Sequence, residues 1–243
     1  GLIYFDNGAT TLKPKPVIDS IVDYYSNYCA NAHRGDYKNS LKVDDAYEGV
    51  RDKIKKFINA SDRSEIVFTS GATDSLNRVI FGYFGKYLKK DDEVLLTESE
   101  HASNILPWFY LEKKIGIKVK YIKLNEDNEV TIENVKKAIS DKTRVISLAY
   151  ITNVVGDIRP IRQICELAHS KDILVVVDGA QSISHIKTDV QVDDMDFLAC
   201  SAHKMYGPTG VGFLYGKFEL LEKMQPISYG GDMNAMFTND GYM

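Results

Sequence analysis

The chain has 243 residues, 44% of them apolar and 26% charged, with a formal net charge of −4. That length can bury a large core in one or two domains, and the proportions are ordinary for a globular protein. The negative balance argues against a nucleic-acid binder, and no apolar run approaches the roughly 20 residues that cross a bilayer. Cys29, Cys165 and Cys200 show neither paired nor metal-ligand spacing, and no signal peptide is visible, so a reducing, cytoplasmic setting is expected. The chain opens on Gly1 rather than Met, so the true start is expected to lie upstream.

Leu2–Phe5 is a short apolar stretch leading into the turn-rich Asp6-Asn7-Gly8-Ala9-Thr10-Thr11. Pro14 and Pro16 mark a helix start, with Val17, Ile18, Ile21, Val22, Tyr25, Tyr28 and Cys29 on one face, which predicts that Cys29 packs in a core. Leu41–Ile58 reads as a second helix and Glu65–Phe68 as a strand. That strand empties into Thr69-Ser70-Gly71-Ala72-Thr73-Asp74 ahead of another helix. A small-residue loop at a helix N-terminus suits an anion through its free N–H groups and dipole, although an N-cap without ligand is equally consistent.

From there β and α alternate. Strands are expected at Glu93–Thr97, Ile117–Leu124 and Val145–Tyr150, with helices from His101 through Trp108 to Lys114, at Thr131–Ile139 and at Pro160–Ser170. This order implies a mainly parallel sheet of seven strands with helices on both faces. Ile173–Val177 is a continuous β-branched run, as in a strand buried on both faces, and it ends in Asp178. Open α/β sheets bind ligands at the carboxyl ends of such strands. Phe197–Cys200 and Val211–Tyr215 are two further strands, joined by Ser201-Ala202-His203-Lys204 and a Gly-Pro-Thr-Gly turn. A lysine at a strand mouth, partly desolvated, is a candidate for a Schiff base; a solvated lysine is the bland alternative. A lysine for an aldehyde and an aspartate for a pyridinium nitrogen are the protein's two signature contacts to pyridoxal phosphate.

Asp178-Gly-Ala-Gln181, Ser201-Ala-His203-Lys204 and Tyr206-Gly-Pro-Thr-Gly210 together resemble the class V aminotransferase family, and within it the SUF-type cysteine desulfurases. The resemblance implies an α/β large domain of the pyridoxal-phosphate-dependent transferase fold type I over residues 31–243, and a segment 1–30 contributing to a small domain. It implies that Lys204 holds the cofactor aldehyde and then serves as general base, while Asp178 keeps the ring nitrogen protonated. Gln181 would bond the phenolic oxygen, and Ala72, Thr73, Ser201 and His203 would anchor the phosphate. His101 would stack on the ring and help move protons, with a capping or core histidine as the alternative. Asn153 would touch the O3′ side and the substrate carboxylate, and an ordinary turn asparagine is its alternative. His33, in Ala32-His33-Arg34-Gly35, would lie near the substrate mouth or serve as a hydrogen-bonded structural histidine.

The implied reaction converts L-cysteine to L-alanine and passes the sulfur, as an enzyme persulfide, to an acceptor protein for Fe–S cluster assembly. The nucleophilic cysteine and a carboxylate-binding arginine belong to a C-terminal segment beyond Met243, together with the rest of the small domain, so this chain alone is expected to turn over little or no substrate. Cys200 is expected to pack rather than react. Ser228–Met233 resembles the family segment that crosses a dimer interface, which implies a homodimer. Another class V aminotransferase or epimerase, and a non-catalytic scaffold, are the competing readings.

Overall fold

The structure, a computed structural model, describes residues 1 and 3–230 and the backbone of 237–238 and 241–242. Its helices are α1 (Lys15–Asp23), α2 (Lys38–Ile58), α3 (Ala72–Val79, continuing in a wider turn over Ile80–Phe84), α4 (Leu106–Ile115), α5 (Ile132–Ala138), α6 (Ile161–His169) and α7 (Phe218–Leu221). Local chemistry sets several ends. Asn59 closes α2 in the left-handed region with φ 56°, and Gly116 does the same for α4 with φ 81°. Pro107 stands in the first turn of α4, where its missing N–H costs nothing, and Thr131 Oγ1 accepts the Asn134 amide to start α5.

The strands are β1 (Ile66–Thr69), β2 (Glu93–Leu96), β3 (Lys118–Tyr121), β4 (Thr143–Ala149), β5 (Leu174–Asp178), β6 (Phe197–Ser201) and β7 (Gly212–Gly216). They form one seven-stranded sheet in the order β1-β7-β6-β5-β4-β2-β3. Every pairing is parallel except those of β7, which runs antiparallel to both β6 and β1. The reason is chain length. The link from β6 to β7 holds one short 3-10 turn, Ala202–Lys204, and no α-helix, and a parallel return needs a crossover of about a dozen residues or more. A separate backbone pair, β8 (Phe237–Thr238) with β9 (Gly241–Tyr242), lies outside this sheet.

Alternation along the central strands divides the core in two, as a period of two requires. Val175 and Val177 of β5, Ile146 and Leu148 of β4, and Leu198 and Cys200 of β6 pack on one face with Ile161 and Ile164 of α6. Val176, Val145 and Phe197 pack on the other with Leu76 and Val79 of α3 and Trp108 of α4. The mainly parallel sheet with helices on both faces is therefore as the sequence predicts, and Cys200 is fully buried in it.

The N-terminal stripe departs from expectation. No residue of α1 is buried, Ile18, Ile21, Val22 and Tyr25 are exposed, and Cys29 is exposed rather than packed in a core. The amphipathic spacing is real, but no element among the described residues covers that face. Val50 and Phe57 of α2 are likewise exposed, whereas Ile58 is buried. No described helix is long and apolar enough to cross a membrane.

Candidate active site

Because every strand but β7 runs the same way, the carboxyl ends of β1, β2, β4, β5 and β6 open on one edge of the sheet. A cavity of about 470 Å³ lies there, within the range of small-molecule sites. Its lining includes Ala72, Thr73, His101, Asn153, Asp178, Gln181, Ser201, His203 and Lys204. Nine residues expected from five separate loops thus meet in one place.

Asp178 ends β5 at 5% exposure, with Oδ1 accepting the Ala180 amide at 2.9 Å. Burial pushes its carboxyl up; the Ala180 N–H and the charge of Lys204 pull the other way, while Glu100 adds to the rise. Lys204 sits half-buried in the tight turn after β6. Burial lowers its amine from the usual lysine range, and the Asp178 charge partly opposes that. Burial, then the charges of Lys204 and Lys13, lowers His203. Gln181 turns its amide nitrogen to Gly8 O at 2.8 Å, tying the 6–13 strap to the cavity wall, where Asp6, Gly8 and Ala9 add to the lining.

The N-terminus of α3 is held by β6. Ala72 N–H donates to Ser201 Oγ at 2.7 Å, and Gly71 takes φ 145°, a value side chains rarely tolerate. Gly212, paired with both Thr69 and Ser201, allows this close approach. A Cβ there would fall 2.5 Å from Gly71 Cα and against the Cys200 carbonyl, both backbone. Gly212→Ala should therefore cost about 1–3 kcal/mol by overpacking, measured by denaturant unfolding. An unchanged midpoint would refute this steric reading.

His101 caps the turn Ala102–Asn104: Nδ1 accepts the Ser103 amide at 3.2 Å. A backbone N–H can only donate, so the ring carries its proton on Nε2. Ser103 Oγ lies 3.1 Å from that Nδ1 and 2.7 Å from Thr73 Oγ1, joining the two loops. Asn153 stands in a turn set by Thr152, whose hydroxyl donates to Asp157 Oδ1 at 2.6 Å and accepts the Gly156 amide at 2.9 Å.

His33 is the exception. It does not line the cavity; its exposed ring lies 3.3 Å from Glu48 and 3.7 Å from Asp44 of α2, edge-on to Tyr47. Two carboxylates on α2 hold it there, correcting its expected place at the substrate mouth. Cys165 and Cys200 are buried with their thiols pushed up by desolvation, and no cysteine lines the cavity among the described residues. Of Ser228–Met233, the residues 231–233 lie outside the described ones.

Beneath the cavity runs a buried network that sequence reading missed. Glu100 Oε1 pairs with Arg159 Nη1 and accepts from Thr97, while Oε2 accepts Asn104 Nδ2 at 3.0 Å and the Ala149 amide at 2.7 Å. Arg159 Nη2 donates to Thr97 Oγ1 at 2.8 Å and Ser99 Oγ at 2.7 Å. The loop carrying His101 is thereby fastened to the loop carrying Asn153.

The class V aminotransferase model matches residues 3–243. The chain belongs to the class V aminotransferase family. It is 45% identical over 232 residues to a probable cysteine desulfurase of Halalkalibacterium halodurans, covering 96% of this chain and 57% of that protein. A cysteine desulfurase of Haloferax volcanii is 41% identical, with 96% and 55% covered. Among solved structures, the apo cysteine desulfurase of Thermococcus onnurineus superposes with a TM-score of 0.94 at 36% identity, covering 100% of this chain and 60% of that one. The cysteine desulfurase CsdA of Escherichia coli gives 0.90 at 37%, with 97% and 59% covered. This class V aminotransferase chain thus spans little more than half the length of the curated relatives it matches.

Proposed function

We propose that the cavity binds pyridoxal 5′-phosphate and serves a cysteine desulfurase, which converts L-cysteine to L-alanine and passes the sulfur as a persulfide to an acceptor protein for Fe–S cluster assembly. The observation that carries the cofactor reading is a desolvated lysine and a buried aspartate facing one cavity whose rim is a helix N-terminus. The donor set fits the group. A buried carboxylate held up by desolvation gains a counter-charge from a protonated ring nitrogen, and the α3 terminus suits a phosphate. The desulfurase reading rests on the relatives, at 41–45% identity.

When bound, the cofactor supplies an aldehyde and a ring that accepts electrons from the substrate Cα. Lys204, its amine less protonated than an exposed lysine's, holds the aldehyde and then moves the proton at Cα. Asp178 holds the proton on the ring nitrogen, and Gln181 orients the phenolic oxygen. Ala72, Thr73, Ser201 and His203 bind the phosphate. His101, with its proton on Nε2, would hold the face of the ring, and Asn153 would orient the substrate carboxylate. The thiolate that takes the sulfur is none of Cys29, Cys165 and Cys200.

We further propose that residues 1–30 contribute to a small domain that covers the exposed face of α1, and that residues 31–243 form the large domain. A homodimer fits the exposed Leu106 and Tyr110 of the apolar groove beside Thr73. The test is to load the purified chain with pyridoxal 5′-phosphate, reduce with borohydride and digest. The label is expected on Lys204 alone. Labelling spread over surface lysines, or none, would overturn the cofactor reading.

A further inference from the structure

The strap of residues 6–13 is bound to the lysine turn by an unusual convergence. The carbonyl of His203, the peptide oxygen immediately before Lys204, faces four donors. Thr11 N approaches at 2.9 Å, Lys13 Nζ at 2.8 Å, Thr11 Oγ1 at 3.0 Å and Thr10 Oγ1 at 3.2 Å. A carbonyl has two lone pairs. The Thr11 amide and the Lys13 ammonium can only donate, whereas a hydroxyl can also accept, so they fill those positions. The hydroxyls are left for other partners, and Thr11 Oγ1 accepts the Tyr206 amide at 3.0 Å on the far side of Lys204. Tyr206 itself stands at φ 65°, a conformation a tyrosine holds only where its surroundings dictate it.

Lys13 uses its three protons fully. Besides His203 O it reaches Thr11 O at 2.7 Å and Thr11 Oγ1 at 3.3 Å, all within a half-buried pocket. Hydrogen bonds to a charged group are the stronger kind. The strap is pinned a second time, by Gln181 Nε2 to Gly8 O. Residues 11, 13, 203 and 206 therefore form a latch that grips the turn on both sides of Lys204 and leaves its side chain directed at the cavity.

We infer that Lys13 is a positioning residue for Lys204: its ammonium, chelated by the Thr11 and His203 carbonyls, locks the turn from which the reacting amine projects. The inference rests on the reading of Lys204 as the reacting amine. It assigns Lys13 no contact with substrate or cofactor.

The experiment has two independent readouts on the whole chain. The first is amide hydrogen exchange at Thr11 and Tyr206. The second is the pH profile of Lys204 labelling by trinitrobenzenesulfonate, followed by mass spectrometry without cofactor, alongside the pyridoxal 5′-phosphate concentration that half-saturates Lys204. Lys13→Met should accelerate exchange at both amides by about tenfold or more. It should also displace the labelling profile and raise the half-saturating concentration by about tenfold, the scale of one lost charge-assisted hydrogen bond. Lys13→Arg, which keeps charge and donors, should restore most of both, and Lys13→Gln serves should the methionine variant fold poorly. Unchanged labelling and half-saturation in Lys13→Met and Lys13→Gln, even with faster exchange, would make the latch merely structural and overturn the inference. A wild-type chain in which the cofactor never reaches Lys204 would instead sink the cofactor reading, and the labelling profile would still judge the latch.

Discussion

Lys204→Ala should reduce exchange of the L-alanine Cα proton into deuterated water by about 10³-fold or more in the cofactor-loaded protein, the scale of a lost general base. The argument is electrostatic. Lys204 is half-buried, which disfavours its ammonium form, while the nearby Asp178 charge favours it. The balance is a lowered pKa, so labelling of Lys204 in the cofactor-free chain should rise with pH and level off below the range of exposed lysines. Removing the carboxylate with Asp178→Asn removes the charge that raises the lysine, so this rise should move to still lower pH. A Lys204→Ala protein that keeps more than about a tenth of the wild-type exchange rate would exclude Lys204 as the base. A rise that moves upward in Asp178→Asn would show that the two groups do not face each other as described.

Arg159→Met should destabilise the chain by about 3–5 kcal/mol, because it leaves the Glu100 carboxylate buried and unpaired. Both side chains are 0% exposed, so neither charge can recover its loss from water. For a chain of this size that corresponds to a fall in Tm of roughly 6–20 °C. Glu100→Gln should cost less, since the Asp157 carboxylate still stands 3.6 Å from the guanidinium. The double variant Glu100→Gln/Arg159→Met should cost less than the sum of the two, which a double-mutant cycle would read as coupling. Additive losses, or a single-variant loss below about 1 kcal/mol, would mean the pair is not the buried clamp described.

What the sequence displays and what it conceals follow from distance along the chain. Asp178 is legible because it ends an apolar strand run, and Lys204 because it follows another within three residues; a charged group at such a place stands out locally. The small-residue loop before α3 is legible for the same reason. The Glu100–Arg159 pair joins residues 59 apart, and the latch joins Lys13 to a carbonyl 190 positions away. No periodicity or spacing carries such information. A weak signal did exist: Arg159 stands just before Pro160 at a helix start, a place where a long cation has no capping role. Cys29 and His33 misled in a different way. The stripe of α1 is amphipathic whether or not anything covers it, and His33 neighbours two carboxylates that come close only once α2 has coiled.

The reversed strand β7 also dictates when the site can exist. Among the described residues β1 has β7 as its sole sheet neighbour, yet β7 leaves the ribosome long after it, roughly ten seconds or more at ordinary elongation rates. The 6–13 strap waits just as long for residues 203–206. A nascent chain therefore carries an unpaired strand edge and an undocked strap until residue 212 has emerged. The rim at α3, the lysine turn and the strap then close together in one late event of high contact order. The cavity is not built up by degrees, so chains stalled or nicked before residue 212 should carry no partial version of it.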